Sequence, residues 1–371
     1  MDERPRSQAP PGSGAPAEDR GSLRAAIDRL DREILRLLEE RADIAGRIGA
    51  LKEASGEGTL DPARERDLLE RIEREATGRF PLSGVRAIFR EIVSASRAVQ
   101  GAFRVAYLGA EGGFAHQGAV RRFGASSHYA ATPSPQHLLE AIGSERAEHG
   151  VFALEGDAED PPFDAYDLLL TAEASLTAEF VDRGGYEALG KSRSPKRLYA
   201  HPAALALCQR WRSSLGPGVA IEPVAGSLEA GRRTAADPDG LCLAPAIVAD
   251  LLGLPRVEGE AEDAPRRTRR FLVLGRGGAK PTGRDKTALL LALENAPGAL
   301  AGVLGRFAAG GVNLLWIESR THRLRPGEHL FLLEVSGHRE APPLLPALEE
   351  IRGATRLLRV LGSFPQAESG W

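Results

Sequence analysis

Cations interrupt the apolar pattern near the start of the chain at a spacing that suits anion binding. Arg41 breaks an apolar row, and Lys52 follows eleven residues later. Eleven residues are about three turns of an α-helix, so the two cations point the same way, roughly 16 Å apart along the axis. Two long cationic side chains that converge in this way can hold a small dianion. Arg24 lies about 25 Å before Arg41 on the same helix, so it could reach that ligand only from a second copy of the chain.

Polar side chains on two further helices face the same predicted core. Asp61 precedes a proline, as an N-cap does, and Arg64 and Glu65 follow within one turn. Ser96 and Gln100 continue the apolar face of a third helix at i, i+4 spacing. Each of these residues could singly be a surface group or a plain cap. Together they predict a helical bundle whose core is lined by cations, a carboxylate, a hydroxyl and an amide.

Three helices must position these residues, and the first is long. Helical periodicity extends over residues 22–101, and a heptad-like apolar row runs along the first thirty or so. A helix of this length needs a second chain to cover its apolar row, which predicts a homodimer. The row consists of Leu23, Ile27, Leu30, Ile34, Leu37, Ile44, Ile48 and Leu51.

This region resembles the all-helical chorismate mutase domain over residues 22–101. The resemblance implies that Arg24 of the partner chain, Arg41 and Ser96 hold the two substrate carboxylates. It also implies that Lys52 and Gln100 face the ether oxygen of chorismate. The segments that carry it are LRAAIDRLD at 23–31, LEER at 38–41, Lys52, DPARE at 61–65 and SASRAVQ at 94–100. By the same resemblance, three residues at the start of the second helix secure the ring hydroxyl side of the substrate, namely Asp61, Arg64 and Glu65.

The chemistry of chorismate rearrangement explains these residue types. Conversion to prephenate is pericyclic, so the reaction uses no nucleophile, metal or cofactor, and none is expected here. The enzyme must hold a flexible dianion in its compact conformer, which Arg–carboxylate pairs do well. It must also stabilise the negative charge that grows on the ether oxygen, for which an ammonium and an amide are suitable donors.

After residue 102 the pattern changes to short apolar runs that alternate with helical stretches. This alternation predicts an α/β region over residues 103–277, with sheets covered by helices. The Gly/Pro/acid-rich segment 254–265 is expected to be an exposed loop. The predicted strands are Arg104–Leu108, Gly150–Leu154, Arg197–Ala200, Leu241–Ala244 and Phe271–Leu274.

This middle region resembles the two-lobed prephenate dehydratase domain, but the functional motifs depart from that family. The likeness rests on VAYLGAEGGFAH at 105–116, YAHP at 199–202 and TRRFLVL at 268–274. Of the family's P-I-E-N-S/T element only Glu155 remains. If Phe271 keeps the register of the T-R-F element, Arg269 occupies the threonine position and Thr268 is displaced to the opposite face. Glu155 and Thr268 are therefore the remaining dehydratase-like candidates, and the sequence favours a non-catalytic structural or ligand-sensing domain over an active one.

Residues 286–365 show a third pattern, β-α-β-β-α-β, which is the ferredoxin-like unit. The predicted strands are 287–294, 312–320, 329–335 and 355–361, and the predicted helices are 297–309 and 342–351. The region resembles the ACT domain of dehydratases, which binds phenylalanine at a dimer interface. The resemblance implies an L-phenylalanine effector and homodimer contacts through this domain as well. The residues matching its two effector motifs are Gly298, Ala299, Leu300, Glu318, Ser319 and Arg320.

Composition bounds the remaining possibilities. The 371 residues carry 48 Lys+Arg against 51 Asp+Glu, which argues against a nucleic-acid partner. No apolar run approaches the ~20 residues of a membrane span, and residues 1–21 are polar and expected to be disordered rather than a secretory signal. With two cysteines and no zinc-like spacing, a cytoplasmic protein without metal is expected. Only five of the 48 cations are lysines, so a lysine is unusual in a chain that otherwise uses arginine. These lysines are Lys52, Lys191, Lys196, Lys280 and Lys286.

The sequence therefore predicts a multidomain protein: an all-α chorismate mutase bundle, an α/β two-lobed dehydratase-like domain and an α+β ferredoxin-like ACT domain. Its predicted substrate is chorismate, and its predicted place is phenylalanine biosynthesis. Two alternatives stay open. One is a fully bifunctional mutase–dehydratase that makes phenylpyruvate, and the other is a non-catalytic amino-acid sensor whose helical part only dimerises the chain.

Overall fold

The computed structural model describes three regions in the order that the sequence predicts. Two predicted site residues, Asp61 and Glu155, lie outside the described residues, as does most of the N-terminal segment that was expected to be disordered. The described residues are 19–55, 62–101, 103–154, 159, 165–258, 261–263, 268–321 and 329–366.

Three helices form the first domain: α1 (Arg20–Ser55), α2 (Pro62–Glu75) and α3 (Leu82–Gln100). Helices α1 and α3 run in the same direction, because Arg41 contacts Ile92 and Gly49 lies against Gln100. The N-terminal half of α1 keeps its apolar row in water, with Ile27 57 % and Leu30 63 % exposed. Within one chain this row therefore has little to pack against.

The middle domain contains two five-stranded sheets, which confirms the predicted two-lobed α/β architecture. The first has the order β2-β1-β3-β10-β4 and the second the order β7-β6-β8-β5-β9. The elements are β1 (Arg104–Leu108), α4 (Phe114–Phe123), β2 (His128–Thr132), α5 (Pro135–Gly143), β3 (His149–Ala153), α6 (Ala165–Thr171), β4 (Ser175–Asp182), β5 (Tyr186–Leu189), β6 (Arg197–Ala200), α7 (Pro202–Leu207), α8 (Gln209–Ser214), β7 (Ala220–Pro223), α9 (Ser227–Ala236), β8 (Gly240–Pro245), α10 (Ala246–Leu252), β9 (Arg256–Glu258) and β10 (Arg269–Gly275).

The five predicted strands of the middle domain correspond to β1, β3, β6, β8 and β10, and five others were not predicted. Strands β2 and β7 lie at sheet edges and are largely exposed, so they carry little apolar pattern. Strand β9 lies in the segment that was expected to be an exposed loop, where it pairs with β5. Short edge strands can form without an apolar run, because one side of their ladder faces solvent.

Strand β10 carries the chain from the second lobe back into the first sheet, between β3 and β4. Its pairing with β4 is continuous from Arg269 to Val273, and the irregularity follows at Leu274. Phe271 and Val273 belong to the core that faces α4, whereas Leu272 and Leu274 belong to a second core on the opposite face. Alternation along this one strand therefore sends neighbouring residues to two different environments.

The C-terminal domain has the predicted β-α-β-β-α-β order. Its antiparallel sheet has the order β12-β13-β11-β14. The helices cover one face, and the other face packs on the first lobe of the middle domain through a common core. Among the described helices, none has both the length and the apolar character to cross a membrane. The elements are β11 (Asp285–Leu293), α11 (Ala299–Ala309), β12 (Leu314–Thr321), β13 (His329–Ser336), α12 (Leu344–Arg352) and β14 (Leu357–Pro365).

Candidate active site

Arg41 and Ser96, predicted to act on the same ligand, meet across the α1–α3 interface. The Ser96 hydroxyl donates to the carbonyl oxygen of Ile92 at 2.7 Å and accepts a hydrogen bond from Arg41 Nη1. The same nitrogen lies 3.4 Å from the Ile92 carbonyl oxygen. Burial lowers the pKa of Arg41, yet a guanidinium stays charged at neutral pH. The interface therefore presents a fixed, partly desolvated positive charge, which suits the binding of a carboxylate.

A cavity of about 620 Å³ opens beside this pair. Its size lies in the range of small-molecule sites. Its walls are mostly aliphatic, with a few charged and hydroxyl groups. The lining residues are Leu38, Arg41, Ala42, Ala87, Ile88, Arg90, Glu91, Ile92, Ala95, Ser96, Val99 and Ser126.

Further along the same interface, the helices approach closely at Gly49 and Gln100. A Cβ atom at Gly49 would lie 2.8 Å from the backbone Cα and oxygen of Gln100, so a larger residue would force the helices apart. Lys52 lies three residues beyond Gly49 and is half-buried. The side-chain oxygen of Gln100 is buried and has no hydrogen-bond partner among the described residues. A buried acceptor left unsatisfied costs free energy, and a bound ligand is one way in which such a group gains a partner.

Three other predicted site residues lie apart from this interface. Arg24 is exposed on α1, about 25 Å before Arg41, and Arg64 is exposed on α2. Glu65 is directed to the junction with the middle domain. One chain thus brings together Arg41, Ser96 and the Gln100 end of the interface, whereas the roles predicted for Arg24, Arg64 and Glu65 stay predictions.

Glu65 is held by two arginines to which the sequence analysis gave no role. Its Oε1 accepts a hydrogen bond from Arg97 Nη1 at 2.5 Å, and its Oε2 lies 3.3 Å from Arg122 Nη1. Arg97 also donates from Nη2 to the carbonyl oxygen of Phe123 at 2.5 Å. Burial lowers the pKa of Arg97, and Glu65 opposes that shift. A carboxylate of the predicted mutase site is therefore bound to residues of both domains.

In the middle domain, Arg269 occupies the space between the two lobes. Its guanidinium donates to the Gly184 carbonyl oxygen at 2.6 Å and pairs with Glu262 at 3.2 Å. Its Cζ lies 3.4 Å from the ring centre of Phe114, and the whole side chain is buried. Thr268 is exposed and precedes the paired part of β10. The threonine position of the family motif is therefore filled by a cation that is already paired.

The predicted effector residues occupy a helix start and an edge strand of the C-terminal domain. Gly298 is the N-cap of α11 and has φ +82°, a conformation that glycine adopts readily. Glu318 and Arg320 form an ion pair on β12. Ser319 lies between them in sequence and is opposite Phe331 in register. No cluster of three or more potential metal ligands occurs in the described part of the chain.

Comparisons with known proteins assign each region separately. The family model for chorismate mutase type II matches residues 23–101, that for prephenate dehydratase matches 105–279, and that for the ACT domain matches 287–353. A protein of Aquifex aeolicus named bifunctional chorismate mutase/prephenate dehydratase is 34 % identical over 94 % of this chain and 99 % of its own length.

Two solved structures are similar to a large part of the chain. One, described as GqqA, a novel type of quorum quenching acylase, has a TM-score of 0.62 and 28 % identity, and covers 72 % of this chain and 98 % of its own. The other is prephenate dehydratase from Arthrobacter aurescens in complex with L-Phe. It has a TM-score of 0.62 and 24 % identity, and covers 71 % of this chain and 90 % of its own. The second likeness concerns the fold alone.

Proposed function

This chain belongs to the bifunctional chorismate mutase/prephenate dehydratase family, and from that premise we propose that its α1–α3 site rearranges chorismate to prephenate. The observation that carries the proposal is the Arg41–Ser96 pair beside a cavity of about 620 Å³. The buried side-chain oxygen of Gln100, which has no hydrogen-bond partner among the described residues, lies further along the same interface. Positive charge at one end and a carboxamide at the other match a dianion whose ether oxygen gains negative charge as its bond breaks.

The proposed mechanism needs binding and electrostatics alone. Arg41 and Ser96 hold a carboxylate, which restricts chorismate to the compact conformer that reacts. Lys52 and Gln100 donate hydrogen bonds to the ether oxygen, where negative charge develops as the carbon–oxygen bond breaks and the carbon–carbon bond forms. These contacts grow stronger towards the transition state, so they act on turnover more than on binding.

A second copy of the chain is part of the proposed site. The apolar row on the first half of α1 is exposed, with Ile34 54 % and Leu37 50 % accessible. Contiguous exposed apolar surface of this kind is typical of an interface. A homodimer through α1 would cover the row and bring the partner's Arg24 to the substrate carboxylates, which Arg24 of the same chain cannot reach.

We further propose that the middle domain does not dehydrate prephenate. Loss of the substrate hydroxyl needs a proton donor, and the position of the family threonine holds Arg269, already paired with Glu262 and packed on Phe114. The exposed Thr268 is outside the paired strand. The names of the relatives favour the alternative of an active dehydratase, so the two possibilities must be separated by assay.

The C-terminal domain is proposed to bind L-phenylalanine as an effector. The N-terminus of α11 presents backbone N–H groups of its first turn, which suit an amino-acid carboxylate, although that of Ala299 already donates to the Ala296 carbonyl oxygen at 3.2 Å. Glu318 and Arg320 on the exposed edge strand supply charged groups of both signs. A second copy of this domain, paired through its edge strand, would enclose the ligand and extend the homodimer contact.

One assay with two readouts tests these proposals on the purified full-length chain. Chorismate is supplied and its disappearance followed, and phenylpyruvate is measured before any acid treatment. Prephenate that accumulates without phenylpyruvate supports a mutase with a silent middle domain. Prompt phenylpyruvate would overturn the silent-domain proposal and support the bifunctional alternative. If chorismate is unchanged, the mutase proposal fails and the non-catalytic amino-acid sensor takes its place.

Single substitutions identify the residues that act on the ether oxygen. Lys52→Ala and Gln100→Ala should each lower kcat on the order of a hundredfold or more, because each removes a donor that acts mainly in the transition state. Lys280→Ala is a matched control, since Lys280 is exposed between the middle and C-terminal domains. Wild-type turnover in either site variant would show that the predicted residue does not contact the reacting oxygen.

A further inference from the structure

The cavity beside Arg41 and Ser96 is not enclosed by the mutase helices alone. Its lining residues belong to α1 and α3 with one exception, Ser126, which lies in the turn between α4 and β2 of the middle domain. In a small-molecule site with mostly aliphatic walls, a few polar groups fix the orientation of the ligand. A middle-domain residue therefore belongs to the polar part of the wall of the proposed mutase site.

The turn that carries Ser126 is held against α3 by three contacts. The Glu91 carboxylate accepts the backbone N–H of Ala125 at 2.8 Å, and the Ser94 hydroxyl accepts that of Ser126 at 3.2 Å. Gly124 has φ +81°, and a Cβ atom at this position would collide with the Ser94 side chain. Because Ser94 is itself completely buried, the turn has a fixed place on α3, and so has Ser126.

The two hydroxyl groups that line the cavity differ in what they already bind. The Ser96 hydroxyl donates to the Ile92 carbonyl oxygen and accepts a hydrogen bond from Arg41. Among the hydrogen bonds of the described residues, Ser126 takes part through its backbone N–H alone, and the residue is exposed. A serine hydroxyl has one donor and two acceptor positions. That of Ser126 is therefore available to a ligand in the cavity.

The charges around the cavity favour an anionic ligand. Two guanidiniums line it, those of Arg41 and Arg90, against the single carboxylate of Glu91. Both oxygens of that carboxylate are occupied, since Oε2 accepts the N–H of Ala125 and Oε1 lies 3.5 Å from Arg90 Nε. A hydroxyl that donates to a carboxylate forms a charge-assisted hydrogen bond, which is stronger than a neutral one. Ser126 thus offers such a donor on the side of the cavity that the middle domain forms.

We propose that Ser126 of the middle domain is a substrate-binding residue of the mutase site, whose hydroxyl donates to a carboxylate of chorismate and whose small side chain leaves room for the substrate. The inference rests on the proposed mutase function and deepens it, because it extends the site beyond the helical domain. It also gives the middle domain a part in the mutase reaction that requires no dehydration chemistry.

Two leucine substitutions in the same turn of the full-length chain test the contact. Ser126→Leu adds bulk at the cavity wall and should raise the KM for chorismate by at least about tenfold. It should change kcat by less than about twofold, because Ser126 contacts a group that does not react. Ala125→Leu is the matched control, since Ala125 is exposed and does not line the cavity. Its backbone N–H still binds Glu91, so both kinetic constants should stay at their wild-type values.

Smaller substitutions test the hydroxyl and do not depend on whether the leucine variant folds. Ser126→Ala removes the donor and should raise KM by about three- to tenfold. Ser126→Thr keeps a hydroxyl, so its KM should be lower than that of Ser126→Ala. A threonine variant as weak as the alanine variant would contradict a hydrogen bond from this position to the substrate.

The remaining outcomes distinguish the role of Ser126 from the function beneath it. If the wild type converts chorismate and either Ser126→Leu or Ser126→Ala retains the wild-type KM, the mutase function stands and the role of Ser126 is wrong. An equal rise of KM in Ser126→Leu and Ala125→Leu also overturns that role, because the turn would then act on folding alone. If the wild type does not convert chorismate, the proposed function fails and the role of Ser126 fails with it.

Discussion

At the junction with the ACT domain the middle domain shares a hydrophobic core with its neighbour, whereas at the junction with the mutase domain it makes mainly polar contacts. The common core contains Leu176 and Leu272 of the middle domain together with Leu290, Leu332 and Phe364 of the ACT sheet. On the mutase side, the contacts are the hydrogen bonds and ion pairs of Glu65, Glu91, Ser94 and Arg97 with residues 122–126.

Charged groups are present at both junctions but in different surroundings. On the ACT side, Arg270 and Glu179 of the middle domain meet Lys286 and Glu334 of the ACT domain. Lys286 Nζ lies 2.6 Å from Glu179 and 2.8 Å from Glu334, and both carboxylates are almost completely buried. Burial acts to lower the pKa of Arg270, but Glu334 and Glu179 outweigh that effect and raise it. This cluster is balanced in charge and closed off from water.

The difference indicates which parts of the molecule unfold together. Domains that share a core lose it together, so the middle and ACT domains should behave as one cooperative unit. Polar contacts at a limited interface resemble those between separable partners, so the mutase helices should unfold as a second unit. Strand β10 contributes to both the interior of the middle domain and the ACT junction. Arg269 donates to the Gly184 carbonyl oxygen within the middle domain, whereas the next residue, Arg270, pairs with Glu334 of the ACT domain.

The largest expected effect is at the ACT junction. Glu334→Ala leaves Arg270 and Lys286 buried with one carboxylate between them. Removing one partner from a buried ionic group typically costs about 3–5 kcal/mol, so the free energy of unfolding of the joint middle–ACT unit should fall by that order. Chemical denaturation followed by tryptophan fluorescence measures it, because the tryptophans are at 211, 316 and 371, outside the mutase region.

A matched control for that variant is Glu349→Ala, which removes an exposed carboxylate from α12 of the same domain. It should change the stability by no more than about 0.5 kcal/mol. A Glu334→Ala protein as stable as this control would mean that the cluster is solvated and that the core alone joins the two domains.

The sequence predicted elements better than it predicted junctions. The alternation of side chains along β10 predicted Phe271 and Arg269 on one face of the sheet and Thr268 on the opposite face. In the structure the side chains of Phe271 and Arg269 do pack on the same face. The long apolar row of α1 predicted a helix with an uncovered face, and the row is exposed. Local periodicity carries this kind of information directly.

Partners that are distant along the chain left no such pattern. Arg97 and Arg122 are 32 and 57 residues from Glu65, and no spacing rule connects them. Lys286 was noticeable as a lysine in a chain that prefers arginine, but its partner Glu334 is 48 residues away on another strand. Ion pairs between domains form only when the folded domains pack against each other. The sequence alone therefore indicates neither which residues pair nor how deeply the pairs are buried.

A smaller effect is expected at the mutase junction. Arg97→Met removes the hydrogen bonds to Phe123 and Glu65 while keeping an apolar stem, and should destabilise the mutase helices by about 1–3 kcal/mol. Helical circular dichroism at 222 nm should show an earlier transition, while tryptophan fluorescence of the middle–ACT unit stays unchanged. Arg71→Met, at an exposed position on α2, is the control. If both probes shift together in Arg97→Met, the mutase junction is as cooperative as the ACT junction.

The smallest effect concerns stability in acid, and it arises in the part of the middle-domain core that lies next to the mutase domain. His149 is buried against Phe103 and Phe123, with ring centres 5.4 and 5.9 Å away, and burial lowers its pKa from 6.5 to about 3. Between these values the unfolded chain binds a proton that the folded protein excludes, so stability falls as the pH falls, by up to about 1.4 kcal/mol per pH unit.

His149→Gln removes this titration while keeping a polar side chain of similar size. Its unfolding free energy should therefore decline less steeply than that of the wild type between about pH 6 and pH 4, with the largest difference in slope close to one proton. His128→Gln, on the exposed edge strand β2, is the control for replacing a histidine at the surface of the same domain. The loss of stability in acid should therefore appear in the unfolding of the joint middle–ACT unit, which tryptophan fluorescence follows. A wild-type slope in His149→Gln would mean that other groups govern the acid response.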